Sequence, residues 1–182
     1  MIFAPFRVLL DANVIYPFTL RDTLLRGAEH GCYQVYWSQQ ILDEATKNLV
    51  KNETMKAAQA KRLQVQMANA FPEAMVEDYE SLINGMNNHP GDRHVAAAAL
   101  KAKAQIIVTQ NTKHFKNVPD DVTVQNADEF LTSQYGLFPY EFAEIIKEQA
   151  SALRNPPQSV RDIIEGLRKS APNFATMFLA EQ

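Results

Sequence analysis

Short apolar runs alternate along the first two thirds of the chain with segments whose apolar residues recur at helical spacing. Four runs predict buried strands: 7–10 (RVLL), 33–38 (YQVYWS), 105–110 (QIIVTQ) and 122–125 (VTVQ). Helical spacing predicts helices over five segments: 19–29, 38–50, 53–70, 73–86 and 90–104. Strands that alternate with helices form βαβ units, so the pattern predicts an α/β fold with a mostly parallel sheet flanked by helices.

The pattern changes after about residue 131, where helical segments follow one another without a strand between them. They are separated by prolines at 139, 156, 157 and 172. We therefore divide the chain into a sheet-containing domain, 1–130, and an all-helical C-terminal extension, 131–182. Two apolar stripes at helical spacing are expected to pack on the main domain, a partner-binding surface being the alternative: Val160, Ile163, Ile164 and Leu167, and Phe174, Met177 and Phe178.

Composition narrows the class of protein. With 182 residues, 46% hydrophobic, the chain is long enough for one domain with an appendage. A net charge of −3 excludes a polybasic protein that coats nucleic acid, although it leaves nucleic acid open as a substrate. The single cysteine, Cys32, cannot form an internal disulfide. We see no signal peptide in the first ten residues and no stretch near the ~20 apolar residues that span a bilayer, so we expect a cytoplasmic protein without membrane contact.

Polar residues stand where the predicted strands end and helices begin. Asp11 directly follows the first strand, and Asn111 follows the third. Asp92 begins an alanine-rich helix. On the wheel of the 38–50 helix, Glu44 borders the apolar face whereas Asp43 points away from it. Because ligands bind outside the carboxyl ends of parallel strands, these side chains are expected to meet at one rim.

Each of these residues also has an ordinary explanation. Asp11 can start an Asx-turn, Glu44 can be a surface residue, Asp92 can cap its helix, and Asn111 can belong to a turn. His94 and His114 would ordinarily be solvated or bonded to backbone. Several acids at one rim are costly, however, unless a cation offsets them, and Mg²⁺ prefers such oxygen ligands.

As a set, four motifs resemble those of PIN-domain nucleases, and most closely the VapC-type toxins of bacterial toxin–antitoxin pairs. The resemblance covers about residues 6–130 in the family's order, and some longer VapC-like proteins carry a helical extension similar to 131–182. The motifs are VLLDANV (8–14), ILDEATKNL (41–49), GDRHVAAAAL (91–100) and IIVTQNTKHF (106–115).

The resemblance implies a metal-dependent endoribonuclease with a PIN-like fold. On the matching positions, Asp11 and Asp92 would be the principal ligands of Mg²⁺ or Mn²⁺. Glu44 would complete the acidic site, binding the metal directly or through water. Asn13 would orient Asp11.

One position departs from the family pattern. The fourth acidic position is often aspartate, and here it is Asn111, beside Thr109, which would line the pocket. An amide still offers a carbonyl oxygen, but the site has one negative charge fewer. We expect weaker affinity for a second cation, together with low or Mn²⁺-dependent activity.

Positive side chains near the rim would contact RNA phosphates. Arg93 and Lys113 are the nearest by motif. Further cations occupy the helices after Glu44, where a solvated helix face is the alternative explanation: Lys47, Lys51, Lys56, Lys61 and Arg62. Tyr36 and Trp37 lie in a predicted strand and are expected to belong to the core.

The resemblance also implies partners: an RNA substrate, a cognate antitoxin that reaches the acidic pocket, and a second copy of the chain in a homodimer. Two other functions stay open at this stage. One is a PIN-like module that binds RNA or protein without cleaving, for which Asn111 would be the sign. The other is a nuclease for DNA or flap structures.

Overall fold

In the computed structural model, which describes residues 6–181, four parallel strands form one sheet in the order β2–β1–β3–β4. Helices flank this sheet, and further helices follow it, so the expected α/β fold with a helical C-terminal part is confirmed. The strands are β1 (Phe6–Leu10), β2 (Tyr33–Tyr36), β3 (Ile106–Val108) and β4 (Thr123–Gln125).

Nine α-helices occupy the part of the chain between residues 6 and 181. None of these helices combines the length and apolar character required to cross a membrane. The helices are α1 (Ala12–Ile15), α2 (Phe18–Glu29), α3 (Gln39–Lys51), α4 (Ala57–Ala70), α5 (Arg93–Ala102), α6 (Ala127–Leu137), α7 (Pro139–Ala152), α8 (Val160–Arg168) and α9 (Pro172–Ala180).

The centre of the core is the pair β1–β3 with α5 packed against it. Leu9 and Ile107, which are paired in the sheet, are fully buried. Helix α5 presents four consecutive buried alanines, 96–99, and contacts both strands. Because alanine side chains are small, the helix axis can approach the sheet closely, which holds the start of α5 beside the carboxyl ends of β1 and β3.

The C-terminal helices pack on α2 rather than standing apart. The Thr23 hydroxyl of α2 donates a buried hydrogen bond of 2.8 Å to Oε1 of Gln149 in α7. Most of both apolar stripes is buried. The α8 stripe lies on a helix that contacts α2, as expected, whereas Phe174 of the α9 stripe packs on Tyr135 and Phe142 within the extension itself. The buried members are Ile163, Ile164, Leu167, Phe174 and Phe178.

The predicted α-helix over 73–86 is wrong. Ala74 and Val76 instead pair with Trp37 directly after β2, through Trp37 N–H to the Ala74 carbonyl (3.0 Å) and Val76 N–H to the Trp37 carbonyl (2.8 Å). Only a 3₁₀ helix, Glu80–Gly85, follows. Apolar residues recur here at helical spacing, but the backbone N–H and carbonyl of Trp37 form hydrogen bonds with this segment. Such tertiary pairing overrides the local preference for a helix.

The helix predicted over 53–70 begins later, at Ala57. Glu53 has a φ of 55°, in the left-handed region that no α-helix contains. A turn over 52–55 therefore separates α3 from α4. Trp37 is buried as expected for a core residue, and Tyr36 is partly buried.

Candidate active site

A pocket of about 560 Å³ opens beside the carboxyl ends of β1 and β3. It contains all four polar residues that the sequence places at this rim, each from a different part of the chain. Asp11 directly follows β1, Glu44 belongs to α3, and Asn111 lies beyond β3. The complete lining is Asp11, Ala12, Asn13, Tyr16, Glu44, Lys47, Asn48, Lys51, Asn52, Asp92 and Asn111.

Asp11 is the most buried acid of this pocket, with 3% of its surface exposed. Its Oδ1 accepts a hydrogen bond of 2.7 Å from the Ala12 N–H at the N-cap position of α1, and not from the N–H two residues on that an Asx-turn would use. Burial raises the pKa of this carboxyl, hydrogen bonds from Thr109 and Ala12 partly oppose the rise, and the charge of Asp92 adds to it. Asp11 is therefore a desolvated acid beside a second acid.

Two neighbours fix the other oxygen of Asp11. Thr109 Oγ1 and Asn13 Nδ2 donate hydrogen bonds of 2.7 and 2.9 Å to Oδ2. Asn13 is itself held by the Gln110 N–H, which donates to its Oδ1 at 2.9 Å. The sheet creates this arrangement, since Leu10 and Val108 are paired and the next residue of each strand reaches the same rim.

Asp92 occupies the N-cap position of α5 but does not use its side chain as a cap. Its Oδ2 instead accepts a hydrogen bond of 2.7 Å from Nδ1 of His114 and lies 3.6 Å from Nδ1 of His89. Helix capping therefore does not explain this aspartate. The His114 ring is bonded to the Asp92 side chain, whereas the sequence predicted a ring that is solvated or bonded to backbone. His89 was not identified from the sequence.

Glu44 faces the pocket from α3, with 41% of its side chain exposed. Its Oε1 lies 3.2 Å from Nε2 of His94 and accepts a hydrogen bond of 3.2 Å from Gln40 Nε2. His94 is buried, contrary to the expectation of a solvated or backbone-bonded ring. Asp43 points to solvent and bonds to Gln39, as the helix wheel predicts.

Asn111 brings an amide and not a carboxylate to the same pocket. Its backbone N–H donates to Thr109 Oγ1 at 3.1 Å, which places it directly above the Asp11–Thr109 pair. Its side chain makes no cap bond to the following 3₁₀ helix, Thr112–Phe115. The amide oxygen is therefore available to the pocket.

The cations that line the pocket are Lys47 and Lys51, on the same side of α3 as Glu44. Together with Lys61 they also line a shallow groove of about 470 Å³ between α3 and α4. Arg93 and Lys113 do not line the pocket. The Nε of Arg93 donates instead to the backbone carbonyl of Asn88 at 3.3 Å.

Several lining residues were missed from the sequence. Asn48 and Asn52 follow Glu44 by four and eight residues, a helical spacing that could have revealed them. Tyr16 carried no such signal. A hydrogen bond from Asn52, and to a smaller extent the positive charge of Lys169, lowers the pKa of Tyr16.

The C-terminal helices also reach this rim. Gln110 Nε2 donates a hydrogen bond of 3.4 Å to the carbonyl of Ser170, which follows α8. The neighbouring residue Lys169 is exposed and lies close enough to Tyr16 to act on its pKa. One edge of the pocket therefore adjoins the end of α8.

The donor set fits a hard divalent cation. Three carboxylates and four asparagine amides line the pocket, and oxygen atoms of these kinds are the ligands that Mg²⁺ and Mn²⁺ prefer. Burial raises the pKa of Asp11, and a cation bound beside it would stabilise the charged form of this carboxyl. Asp11, Asp92 and Glu44 could hold such an ion, with Asn111 as a neutral donor.

Comparison with known proteins finds a matching family for each of the two parts of the chain. The PIN domain family matches residues 7–113, and the VapC50 C-terminal domain matches residues 127–180. Over 113 residues the chain is 35% identical to "Putative ribonuclease VapC50" of Mycobacterium tuberculosis, a match that covers 59% of this chain and 65% of that protein. The chain belongs to the PIN domain family and carries a VapC50-type C-terminal domain.

Proposed function

We propose that this protein is a divalent-metal-dependent endoribonuclease that acts as the toxin of a toxin–antitoxin pair. The observation that carries the proposal is the meeting of Asp11, Glu44, Asp92 and Asn111 in one pocket, with Asp11 buried and its pKa raised. The name of the mycobacterial relative, a ribonuclease, supports the same activity.

In this proposal Asp11 and Asp92 hold Mg²⁺ or Mn²⁺, and Glu44 completes the acidic set. When bound, the ion supplies an activated water and neutralises charge that develops on a phosphodiester. Asn13 and Thr109 keep the Asp11 carboxylate in one orientation through their hydrogen bonds.

Substrate binding falls to the cations around the pocket. Lys47 and Lys51 lie where a phosphate next to the acidic centre would be held, and Lys61 extends this positive edge along the groove between α3 and α4. Arg93 and Lys113 stay candidates for phosphate contacts outside the pocket. Such contacts position a strand without selecting a base, so they support binding of a nucleic-acid strand at the pocket and leave the target sequence open.

The proposed partners follow from the same pocket. A cognate antitoxin would place a basic side chain against the acidic rim, where it compensates the charge of Asp11 and excludes the metal. We further propose a cytoplasmic protein that forms a homodimer, and a functional division near residue 130 between the nuclease domain and the helical extension.

The test is cleavage of mixed cellular RNA by the purified chain in Mn²⁺, beside Asp92→Asn. Asparagine keeps an oxygen for His114, and because Asp92 makes no capping bond, its fold should be intact. Glu44→Gln tests the acid that faces the pocket, and Glu77→Gln, an exposed glutamate that lines neither the pocket nor the groove between α3 and α4, is the matched control. We expect cleavage to fall at least about a hundredfold in Asp92→Asn and Glu44→Gln and to persist in Glu77→Gln.

Equal cleavage by all variants would refute this active site and point to a contaminating nuclease. Asn111 favours a second function, a PIN-like module that binds RNA or protein without cleaving it, because the amide removes one charge from the acidic set. Metal-independent RNA binding without cleavage in either Mn²⁺ or Mg²⁺ would support that module instead.

A further inference from the structure

Beside the pocket, two histidines converge on Asp92 from separate loops. His89 precedes α5 and His114 follows β3, and the His89 N–H donates a hydrogen bond of 2.9 Å to the His114 carbonyl, which ties the loops together. Ligand atoms of His89, Asp92 and His114 all lie within 4.8 Å of one another, and within residues 6–181 they form the one such group of three.

The nitrogens of this cluster lie close to Asp92 and are accessible from solvent. The Gly91 N–H donates a hydrogen bond of 3.2 Å to Nδ1 of His89, so this nitrogen acts as an acceptor in the structure. Nδ1 of His114 faces Asp92 at 2.7 Å. The side chains of His89 and His114 are 53% and 42% exposed, so an ion can reach both from solvent.

The chemistry of this cluster differs from that of the pocket. Two imidazole nitrogens and one carboxylate oxygen suit Zn²⁺, Co²⁺ or Ni²⁺, whereas the all-oxygen pocket suits Mg²⁺ or Mn²⁺. Tetrahedral Zn²⁺ with bonds of about 2.0–2.1 Å holds its ligand atoms about 3.3 Å apart. The distances from Asp92 Oδ2 to the two Nδ1 atoms, 2.7 and 3.6 Å, lie on either side of that separation.

One adjustment is required before a single ion can contact both rings. The two imidazoles are stacked, with centroids 4.3 Å apart and planes inclined by 18°. Each ring must therefore turn about its Cβ–Cγ bond to direct a nitrogen at a shared ion. Since both side chains are about half exposed, few packing contacts oppose this rotation.

We propose that His89, Asp92 and His114 form a second metal site, selective for Zn²⁺ and similar ions, that shares Asp92 with the acidic pocket. An ion bound there engages Asp92 from the histidine side and weakens the pocket's hold on Mg²⁺ or Mn²⁺. The binding site itself stands independently of catalysis. Inhibition of RNA cleavage by the weaker binding of Mg²⁺ or Mn²⁺ rests on the proposed nuclease function.

Calorimetric titration of the metal-free, full-length chain with Zn²⁺ tests the site. His30→Ala is the matched control, because His30 Nε2 contacts the Glu148 carboxylate at 3.0 Å but has no second imidazole. We expect one Zn²⁺ per chain in the wild type and in His30→Ala, with affinity at least tenfold lower in His89→Ala and His114→Ala. Unchanged affinity in both of those variants would overturn the proposal.

Two further binding experiments distinguish this site from the acidic pocket. In Asp11→Asn, Zn²⁺ binding should be retained although Mn²⁺ binding is lost, and loss of both ions would assign Zn²⁺ to the pocket and overturn the proposal. Saturating Zn²⁺ should lower Mn²⁺ affinity severalfold in the wild type and leave it unchanged in His89→Ala. Both readouts are binding measurements, so they stand even if the chain cleaves no RNA. Co²⁺ absorption, lost in His89→Ala, provides a spectroscopic check of imidazole ligation.

Discussion

The hydroxyl of Thr109 donates a hydrogen bond of 2.7 Å to Oδ2 of Asp11, across 98 residues of sequence. The bond exists because β1 and β3 are adjacent and parallel, with Leu10 paired to Val108, so both strands reach the rim side by side. It opposes the effect of burial on the pKa of Asp11 and helps to keep a desolvated carboxylate charged.

Replacing Thr109 by valine keeps the shape of the side chain but removes the donor. We expect the pKa of Asp11 to rise further and Mn²⁺ affinity near neutral pH to fall about fivefold, equivalent to about 1 kcal/mol for one lost hydrogen bond. Calorimetric titration with Mn²⁺ measures this change. Thr109→Ser, which retains the hydroxyl, should bind like the wild type, and equal losses in both variants would contradict the role of the bond.

The raised pKa of Asp11 gives a pH dependence with a definite sign. The folded protein binds this proton more tightly than the unfolded chain, so Asp11 lowers the stability of the metal-free protein at neutral pH. That penalty is removed as the pH falls through the raised pKa. Mn²⁺ must displace the same proton, so its affinity should fall over the same range of pH.

Thermal unfolding with and without Mn²⁺, between about pH 7 and pH 4, measures both effects. At a hundredfold excess of Mn²⁺ over its Kd, the stabilisation should be about 2.7 kcal/mol near neutral pH and should shrink towards acid pH. In Asp11→Asn the metal-induced stabilisation should be absent at every pH. A pH-independent stabilisation that persists in this variant would show that the ion binds elsewhere.

Asn111→Asp restores the acid that is common at this position in the resembling family. The additional charge should raise Mn²⁺ affinity about tenfold, about 1.4 kcal/mol, and lower the melting temperature of the metal-free protein by repulsion with Asp11 and Asp92. Titration and thermal unfolding of the same preparation test the two effects together. Asn111→Ser, which adds no charge, is the control, and an unchanged Mn²⁺ affinity in Asn111→Asp would place residue 111 outside the metal site.

Sequence reasoning located those parts of the site that follow from regular structure. The end of a buried strand identifies Asp11 and Asn111, and the helix wheel identifies Glu44, because both patterns repeat along the chain. The pairing of His89 and His114 with Asp92 depends on two loops meeting, and no period in the sequence encodes that meeting.

The segment 73–86 shows where the spacing of apolar residues predicts the wrong structure. Its apolar residues have helical spacing, yet Ala74 and Val76 pair with Trp37 beside the end of β2. The partner is almost 40 residues away in sequence, so only the assembled sheet reveals it. Local spacing cannot report a backbone partner that the tertiary fold supplies.

Two helical glycines, one in tight contact with a buried ring and one exposed, offer a matched test of packing: Gly27 in α2 and Gly136 in α6. A Cβ on Gly27 would lie 2.4 Å from the hydroxyl oxygen and 2.9 Å from Cζ of Tyr33, a fully buried ring whose hydroxyl donates to the Leu24 carbonyl. Gly27→Ala should therefore destabilise the protein by about 1–3 kcal/mol. A Cβ on Gly136 meets nothing within 4 Å, and Gly136→Ala should stabilise by about 0.5–1 kcal/mol. Denaturant unfolding compares them, and a neutral Gly27→Ala would refute the tight packing.

Lys169 tests whether the end of α8 takes part in RNA binding. We expect Lys169→Ala to weaken binding of a short single-stranded RNA about threefold and to reduce its salt dependence, as loss of one phosphate contact does. Fluorescence anisotropy on an Asp11→Asn background avoids cleavage during the measurement. Lys101→Ala is the control, because Lys101 lies in the last turn of α5, at the opposite end of that helix from Asp92. An equal loss of RNA affinity in both variants would show that Lys169 contributes only through the net charge of the protein and not through a local phosphate contact.

The four polar residues of the pocket span the chain from position 11 to position 111, and β3 inserts directly beside β1 at the middle of the sheet. An N-terminal fragment that stops before residue 106 therefore lacks β3 and, with it, the Asn111 wall of the pocket. During synthesis, the emerging chain cannot assemble the complete acidic centre until most of it has left the ribosome.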